Sequence, residues 1–334
     1  MAENNKIDKK FTGKDILSLD QFSPSDLDIL FRITRKMKTI AVNARPSKLL
    51  AGKIVTLLFY EPSSRTFSSF AAAVKQLGGQ TLEFQNPLQT SSAVKGETLE
   101  DTIKTFECYC DAIVMRHPEK GSVKRAADAA FFVPVINAGD GIGEHPSQTL
   151  LDLFTIFEKH KRLNNLTGVI AGDLLNGRTV HSLIRGLSMY KNTALYLLSP
   201  KQLKLSREDF ADFTKRGIKL IEITSEKDIP KNADFWYWTR VQKERFKKLN
   251  EYEKIKNAFI VTEKLVKEKA GKDTIIMHPL PRVGEIETAV DADPRAVYFT
   301  SQARNGMYVR MALLSLVLGK YKSTGAGEAV FESR

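Results

Sequence analysis

The stretch Ile54-Val55-Thr56-Leu57-Leu58-Phe59-Tyr60-Glu61-Pro62-Ser63-Ser64-Arg65-Thr66 reads as a strand, a tight turn and the start of a helix. Its first seven residues form one apolar run, as expected of a strand covered on both faces in a parallel sheet. The helix spans roughly 65–77 and is stopped by Gly78-Gly79, a common stop signal. A helix N-terminus has unpaired N–H donors and a partial positive charge. Ser63, Ser64 and Thr66 beside the Arg65 guanidinium therefore have the makings of an oxyanion or phosphate cradle. The same residues also fit a serine N-cap with a surface arginine, and the turn alone does not separate these readings.

Outward from the turn, Gln80-Thr81-Leu82-Glu83-Phe84 alternates like a second strand and completes a βαβ unit. Upstream, Ser23-Pro24 caps an amphipathic helix running towards Met37. Downstream, a polar loop carries Lys95, the one basic residue between Lys75 and Lys104, ahead of a helix with Asp101, Ile103, Phe106 and Tyr109. The strand Ala112-Ile113-Val114-Met115 ends in Arg116-His117-Pro118, at the kind of carboxyl edge where open α/β sheets bind ligands. Next, Phe132-Val133-Pro134-Val135-Ile136 reads as a strand, and 137–148 as a glycine-rich loop before a helix at 149–159. Arg116, His145, Gln148 and Arg65 would then gather donors around one crevice, which suits an anion with an electrophilic carbonyl. Taken singly, His145 also fits a structural role.

A polar link near 159–165 marks a change of domain, placed within 146–165, and the α/β pattern then begins again. Gly168-Val169-Ile170-Ala171-Gly172-Asp173 is a strand, Asn176-Gly177 a turn and 180–190 a helix, with further strands at 194–198, 218–223 and 235–238. Neither a G-x-G-x-x-G fingerprint nor a G-x-x-x-x-G-K-[ST] phosphate loop occurs. The half offers cations instead: Arg178 at one helix start, and Thr239-Arg240-Val241-Gln242-Lys243-Glu244-Arg245 after a strand. Two guanidiniums can each grip one carboxylate of a dicarboxylate; a charge run flanking a helix is the alternative. In Met277-His278-Pro279-Leu280-Pro281-Arg282 the prolines leave backbone carbonyls free to accept from an amine, and His278 is expected to be structural. An apolar helix at 307–318 is long enough to pack back across a domain, and the tail is expected to be loosely ordered.

Bulk properties narrow the classes. The 334 residues, 42% of them hydrophobic, are enough for two domains with real cores. No apolar run of about 18 residues is present, and the start MAENNKIDKKFTGKD lacks an apolar signal segment, so a cytoplasmic protein is expected. Cys108 and Cys110, the only cysteines, suit neither a disulfide framework nor a four-ligand zinc site and are expected to be reduced core thiols. The formal charge of +12 comes from 51 basic and 39 acidic residues, but the lysines are scattered and interleaved with acids. A surface that attracts anionic metabolites explains this better than nucleic-acid binding.

Seven segments in order, EPSSRT, VKGETLEDT, VMRHP, NAGDGIGEHPSQTLLDLFTI, GDLLNGRTVHSL, TRVQKER and MHPLPRVGEI, resemble the aspartate/ornithine carbamoyltransferase family over about residues 11–318. Ornithine-using members read HCLP near the end and carry an SMG loop; HPLPR and TRVQKER stand here, which resembles the aspartate-using members. The resemblance implies an α/β fold of two doubly wound domains with mainly parallel sheets, the C-terminal helix packing back on the first. Residues 1–146 would bind carbamoyl phosphate, completed by a helix at about 303–320. Residues 147–302 would bind aspartate, and 321–334 would be a tail.

By the same resemblance, Ser63, Ser64, Arg65, Thr66, Arg116, His145 and Gln148 hold carbamoyl phosphate, with the backbone of Leu280 at the carbamoyl group and amine. Arg178, Arg240 and Gln242 hold aspartate. Lys95 and Leu280 are further aspartate-binding positions, and Lys95, with Ser91 or Ser92, enters a neighbouring subunit's site, which implies a homotrimer with shared sites. Two departures stand out: Ser64 replaces the usual threonine, keeping its hydroxyl, and Ser91 and Ser92 compete for one position, with Ser91 the closer in spacing. The implied reaction is direct attack of the aspartate α-amine on the carbamoyl carbon, with Arg65, Thr66, Arg116 and His145 as catalytic groups and domain closure around the substrates. It requires no cofactor, metal, membrane or nucleic acid; attachment to regulatory chains or a dihydroorotase is left open.

Overall fold

Strands that are apolar on both faces need cover on both, and in this chain they find it by pairing in parallel between helices. The computed structural model describes residues 6–43, 47–87, 96–141, 143–241, 259–323 and 329–331. It divides into two compact units, Met1–Leu151 with Asn305–Arg334, and Asp152–Arg304.

The first unit opens with α1 (Pro24–Val42), started by a capping box in which Ser23 and Asp26 each satisfy the other's backbone N–H. It continues with β1 (Ile54–Phe59), α2 (Ser64–Gln76), β2 (Gln80–Gln85), α3 (Leu99–Phe106), β3 (Ala112–His117), α4 (Ser122–Ala129), β4 (Val135–Asp140) and the start of α5 (Pro146–His160). The sheet order is β2-β1-β3-β4, every pair parallel. Strand order therefore reverses between β1 and β3, so the connections that follow them leave on opposite faces and open a crevice at their carboxyl ends. The order β7-β6-β5-β8-β9 repeats this plan in the second unit. Its strands are β5 (Thr167–Ala171), β6 (Ala194–Leu198), β7 (Lys219–Ile223), β8 (Phe235–Trp238) and β9 (Ile275–Met277), all parallel, with the reversal between β5 and β8. The helices α6 (Arg178–Leu187), α7 (Arg207–Lys215) and α8 (Glu263–Lys269) lie between them in the chain.

The apolar helix expected near the C-terminus is α9 (Ala303–Val317), buried along most of its length. From Asn305 onward it belongs to the first unit, where Gly13 N–H bonds to the Val317 carbonyl at 2.9 Å. No helix among the described residues is long and apolar enough to cross a membrane.

Three local expectations are corrected. The strand read at 132–136 begins only at Val135 and extends through Asp140, so Asn137-Ala138-Gly139-Asp140 is strand rather than loop. Phe131 and Phe132 are 75% and 84% exposed, their N–H groups both donated to Glu107 Oε2 instead of to a neighbouring strand. Cys108 and Cys110 are free thiols, but Cys108 is exposed, while Cys110 is half-buried and packs against the hydrophobic core of the first unit; Cys108 lies in the short turn Glu107–Tyr109 that follows α3. In the tail, Tyr321–Ser323 pairs antiparallel with Ala329–Phe331.

The second core centres on β8, whose four residues Phe235, Trp236, Tyr237 and Trp238 are all buried. Gly168 on β5 stands opposite Phe235, and a Cβ there would meet the phenyl ring at 2.2 Å. The missing side chain is what lets a ring lie across the neighbouring strand. Gly168→Ala is expected to lower stability by about 1–3 kcal/mol through overpacking, read as a lower midpoint in urea unfolding. An unchanged midpoint would show that the ring can move aside.

Candidate active site

Parallel register brings the first group of candidates together. Phe59 pairs with Arg116 and Tyr60 N–H donates to the Arg116 carbonyl at 2.8 Å, so the turn after β1 and the end of β3 emerge side by side. Ser63 occupies the N-cap position of α2, yet its side chain makes no capping hydrogen bond. The plain serine-cap reading of the turn is therefore not what the chain adopts. No acidic residue lies in the first turn of α2, where one would ordinarily offset the helix dipole. Ser64 and Arg65 are exposed at this helix start, and Thr66 is buried.

Arg116 is 6% exposed. Its Nη2 pairs with Glu61 Oε2 at 2.6 Å, and its Nη1 donates to the Ala138 carbonyl at 3.2 Å. It can lie along the β4 backbone because residue 139 is glycine, at φ +131 with a hypothetical Cβ only 2.6 Å from Nη1. Asn137 secures this crossing: its Oδ1 accepts from Gly139 N–H at 2.8 Å and its Nδ2 donates to the Leu17 carbonyl at 2.9 Å.

Beyond β4 the chain turns at Gly141, whose φ of +53 and close approach to the Pro118 carbonyl exclude a side chain. Glu144 then accepts from Ser18 Oγ at 2.9 Å and Leu19 N–H at 2.8 Å. This delivers His145, 4% exposed, to the head of α5, where its carbonyl accepts from the N–H groups of Gln148 and Thr149. Its ring lies between two hydroxyls, with Nε2 3.5 Å from Thr66 Oγ1 and Nδ1 3.5 Å from Ser147 Oγ. These are long contacts, as catalytic groups often show before substrate tightens them. Gln148 is half-buried in the first turn of α5. The carboxyl ends of β1, β3 and β4 thus carry Ser63, Ser64, Arg65, Thr66, Arg116, His145 and Gln148, with direct contact between Thr66 and His145.

In the second unit, Arg178 and Arg240 follow the two strands that flank the reversal. Asp173, fully buried after β5, accepts at Oδ1 from the backbone and side chain of Asn176 at 2.9 and 3.2 Å. This tight loop leads through Gly177 into Arg178, the first residue of α6. After β8, Thr239 N–H and Oγ1 both donate to the Ala171 carbonyl, and half-buried Arg240 comes next. Gln242, Lys95, Ser91 and Ser92 lie outside the described residues.

The loop after β9 is held by His278. It is 2% exposed, its Nδ1 accepts from Leu280 N–H at 2.8 Å, and its Nε2 pairs with Glu285 Oε1 at 2.6 Å. Leu280 is kept at φ +54, a left-handed conformation a leucine adopts only when its surroundings impose it. Burial pushes the Glu285 carboxyl up, but the hydrogen bond and charge of His278, with backbone N–H groups, outweigh it and leave the group below its ordinary range. Arg282 is taken by both oxygens of Asp291 and lies over the Phe299 ring at 5.2 Å.

Such a constellation can hold a phosphate-like anion at the head of α2, polarise a carbonyl oxygen between Thr66, Arg116 and His145, and, in the other unit, offer two guanidiniums to carboxylates. Sequence reasoning gave no role to Glu61, Ser147 or Arg310. For Arg310 a signal existed, a lone charge within the apolar run MYVRMALLSLV, since a charge on a buried helix face needs partners. Among the described residues no group of three or more His, Cys, Asp or Glu side chains could hold a metal ion.

Residues 14–158 match the family model described as aspartate/ornithine carbamoyltransferase, carbamoyl-P binding domain, and residues 164–317 match its Asp/Orn binding domain. Multifunctional protein pyr1-3 of Dictyostelium discoideum is 48% identical over 315 residues, covering 94% of this chain; the chain spans only 14% of that protein's length. Aspartate carbamoyltransferase 1, chloroplastic, of Pisum sativum is 45% identical, covering 93% of this chain and 80% of that one. Among solved structures, aspartate transcarbamoylase from Trypanosoma cruzi in complex with carbamoyl phosphate is similar with a TM-score of 0.85 at 39% identity, covering 92% of this chain and 97% of that one.

The depressed Glu285 carboxylate adds stability that is present above its unfolded value near 4.5 and is lost as pH falls through the lower folded value. Unfolding free energy should therefore decline below about pH 4.5, and Glu285→Gln should flatten that decline in urea titrations at successive pH values. An acid limb of unchanged slope in the variant would remove Glu285 as a source.

Proposed function

Because the chain belongs to the aspartate/ornithine carbamoyltransferase family, we propose that it transfers the carbamoyl group of carbamoyl phosphate to the α-amine of L-aspartate. The products are N-carbamoyl-L-aspartate and phosphate, an early step of de novo pyrimidine synthesis. The observation that carries this reading is the contact of Thr66 with His145 at the strand ends that also bring Arg116 beside the head of α2.

The amine lone pair attacks the carbamoyl carbon and a C–N bond forms. The carbonyl π electrons move to oxygen, giving a tetrahedral intermediate. Its collapse restores the carbonyl and breaks the C–O bond, phosphate leaves with that electron pair, and the proton given up by the amine passes to the departing phosphate. No protein nucleophile takes part. Thr66, Arg116 and His145 donate to the developing oxyanion, a kind of contact worth roughly 3–4 kcal/mol per well-placed donor. Ser63, Ser64 and the N–H groups of α2 hold the phosphate, Arg65 balances its growing charge, and Gln148 completes the carbamoyl phosphate set. Substrate must compete with Glu61 for Arg116, which favours a ligand carrying charge of its own.

Arg178, Arg240 and Gln242 take the aspartate carboxylates, and the Leu280 backbone serves the carbamoyl group and the amine. The left-handed turn held by His278 supports that role for Leu280. The sequences HPLPR and TRVQKER and the names of the relatives above favour aspartate over ornithine. The proposal includes a cytoplasmic homotrimer in which Lys95, with Ser91 or Ser92, completes a neighbouring subunit's site. The length of the Dictyostelium protein supports linkage to further enzyme domains in some relatives.

In a phosphate-release assay with carbamoyl phosphate and a panel of amino acids, aspartate is expected to be used fastest. Arg240→Ala is expected to raise KM for aspartate far more than KM for carbamoyl phosphate. Faster turnover of ornithine would overturn the substrate assignment, and equal effects on both KM values would remove Arg240 from the aspartate site. Mixing Arg65→Ala chains with Lys95→Ala chains, each inactive alone, should restore part of the activity. No recovery after confirmed subunit exchange would exclude shared sites.

A further inference from the structure

Arg310 has no part in the reaction as described, yet the residue is only 3% exposed, on a helix that is otherwise largely apolar. Long helical side chains lean back over the preceding turn, and Arg310 does so towards residue 306. It finds room because that residue is glycine: a Cβ there would stand 2.8 Å from Arg310 Nη1. In this position Nη1 donates to Ser69 Oγ at 3.0 Å and Nη2 to Ser147 Oγ at 3.3 Å, with the guanidinium 5.0 Å from the centre of the Phe70 ring.

A guanidinium can only donate, so the Ser147 oxygen accepts in this contact. A hydroxyl that accepts from a cation becomes a stronger donor through its own hydrogen. His145 Nδ1 lies 3.5 Å from that same oxygen. When Nδ1 accepts, a neutral imidazole carries its hydrogen on the other nitrogen, here the Nε2 that faces Thr66.

We propose that Arg310 is a positioning residue for the transfer: acting through Ser147, it holds His145 in the tautomer whose Nε2–H is aimed at the carbonyl oxygen of the carbamoyl group. This rests on the reaction assigned above. The other tautomer would turn a lone pair towards the oxyanion and oppose the charge it should stabilise. Gly306, Arg310, Ser147 and His145 thus form one line of contacts from the C-terminal helix to the reacting atoms.

The test is a double-mutant cycle on the full-length enzyme. Arg310→Met and Ser147→Ala should each lower kcat roughly tenfold or more, with little change in KM for aspartate. In the Ser147→Ala background, Arg310→Met should add less than about twofold. Gly306→Ala, which keeps the guanidinium but displaces it, should also lower kcat, and it carries the test if Arg310→Met does not fold. The chain has five histidines, so ¹⁵N spectra of ring-labelled protein can be assigned to His145 by its loss in His145→Gln. The neutral ring should carry hydrogen on Nε2 in the parent and shift towards a mixture in Arg310→Met and Gly306→Ala. Hydrogen on Nδ1 in the parent, multiplicative losses in the cycle, or unchanged kcat in both Ser147→Ala and Gly306→Ala would overturn the proposal. A parent that fails to carbamoylate aspartate would instead sink the assigned reaction, while the spectra would still report the tautomer.

Discussion

The pairing of β1 with β3 is the constraint from which the first unit's chemistry follows. With Phe59 opposite Arg116, the turn that starts α2 and the guanidinium that ends β3 must emerge together. The strand-order reversal at that point sends the two following connections to opposite faces. A shift of one residue in this register would turn Arg116 to the other face of the sheet. The second unit uses the same rule at β5 and β8, which brings Arg178 and Arg240 to neighbouring strand ends.

Cations in this basic chain are sorted by the company they keep. Arg282 is held by both oxygens of Asp291 and is committed to shaping its loop. Arg116 pairs with a carboxylate through Nη2 and donates to a strand carbonyl through Nη1. Arg310 donates to two hydroxyls, at 3.0 and 3.3 Å, and a hydroxyl that accepts from a cation becomes a stronger donor itself. The same side-chain type therefore braces a loop at Arg282, joins a carboxylate and a strand carbonyl at Arg116, and reaches hydroxyls at Arg310.

Much of this was legible in the sequence because it depends on local pattern. The apolar run 54–60, the alternation after Gly78-Gly79 and the repeated strand-turn-helix logic led to two parallel α/β halves. Arg116 and His145 stood out as candidates because each comes at or after the end of an apolar strand. Where local pattern admits two outcomes, it did not decide. Ser63 sits where a capping serine would sit, and only its side-chain geometry shows that it does not cap. Phe132 looks like a strand residue, but Glu107, more than twenty residues earlier in the chain, takes its N–H group and that of Phe131. The partners of Arg310, Ser69 and Ser147, are 241 and 163 residues away, beyond the reach of any helical or strand period.

The segment before α1 bears on how quickly the first unit completes the outer edge of β4. Ile16 bridges to Ile136, Asp15 Oδ1 accepts from Val135 N–H, and the Leu17 carbonyl accepts from Asn137; Ser18 and Leu19 then hold Glu144. All of these close loops of about 120 residues, whose entropy must be lost before the contacts return anything. The outer edge of β4 and the approach to His145 should therefore be among the last parts of the unit to form during folding. A nascent chain should already have its βαβ core while His145 is still unplaced.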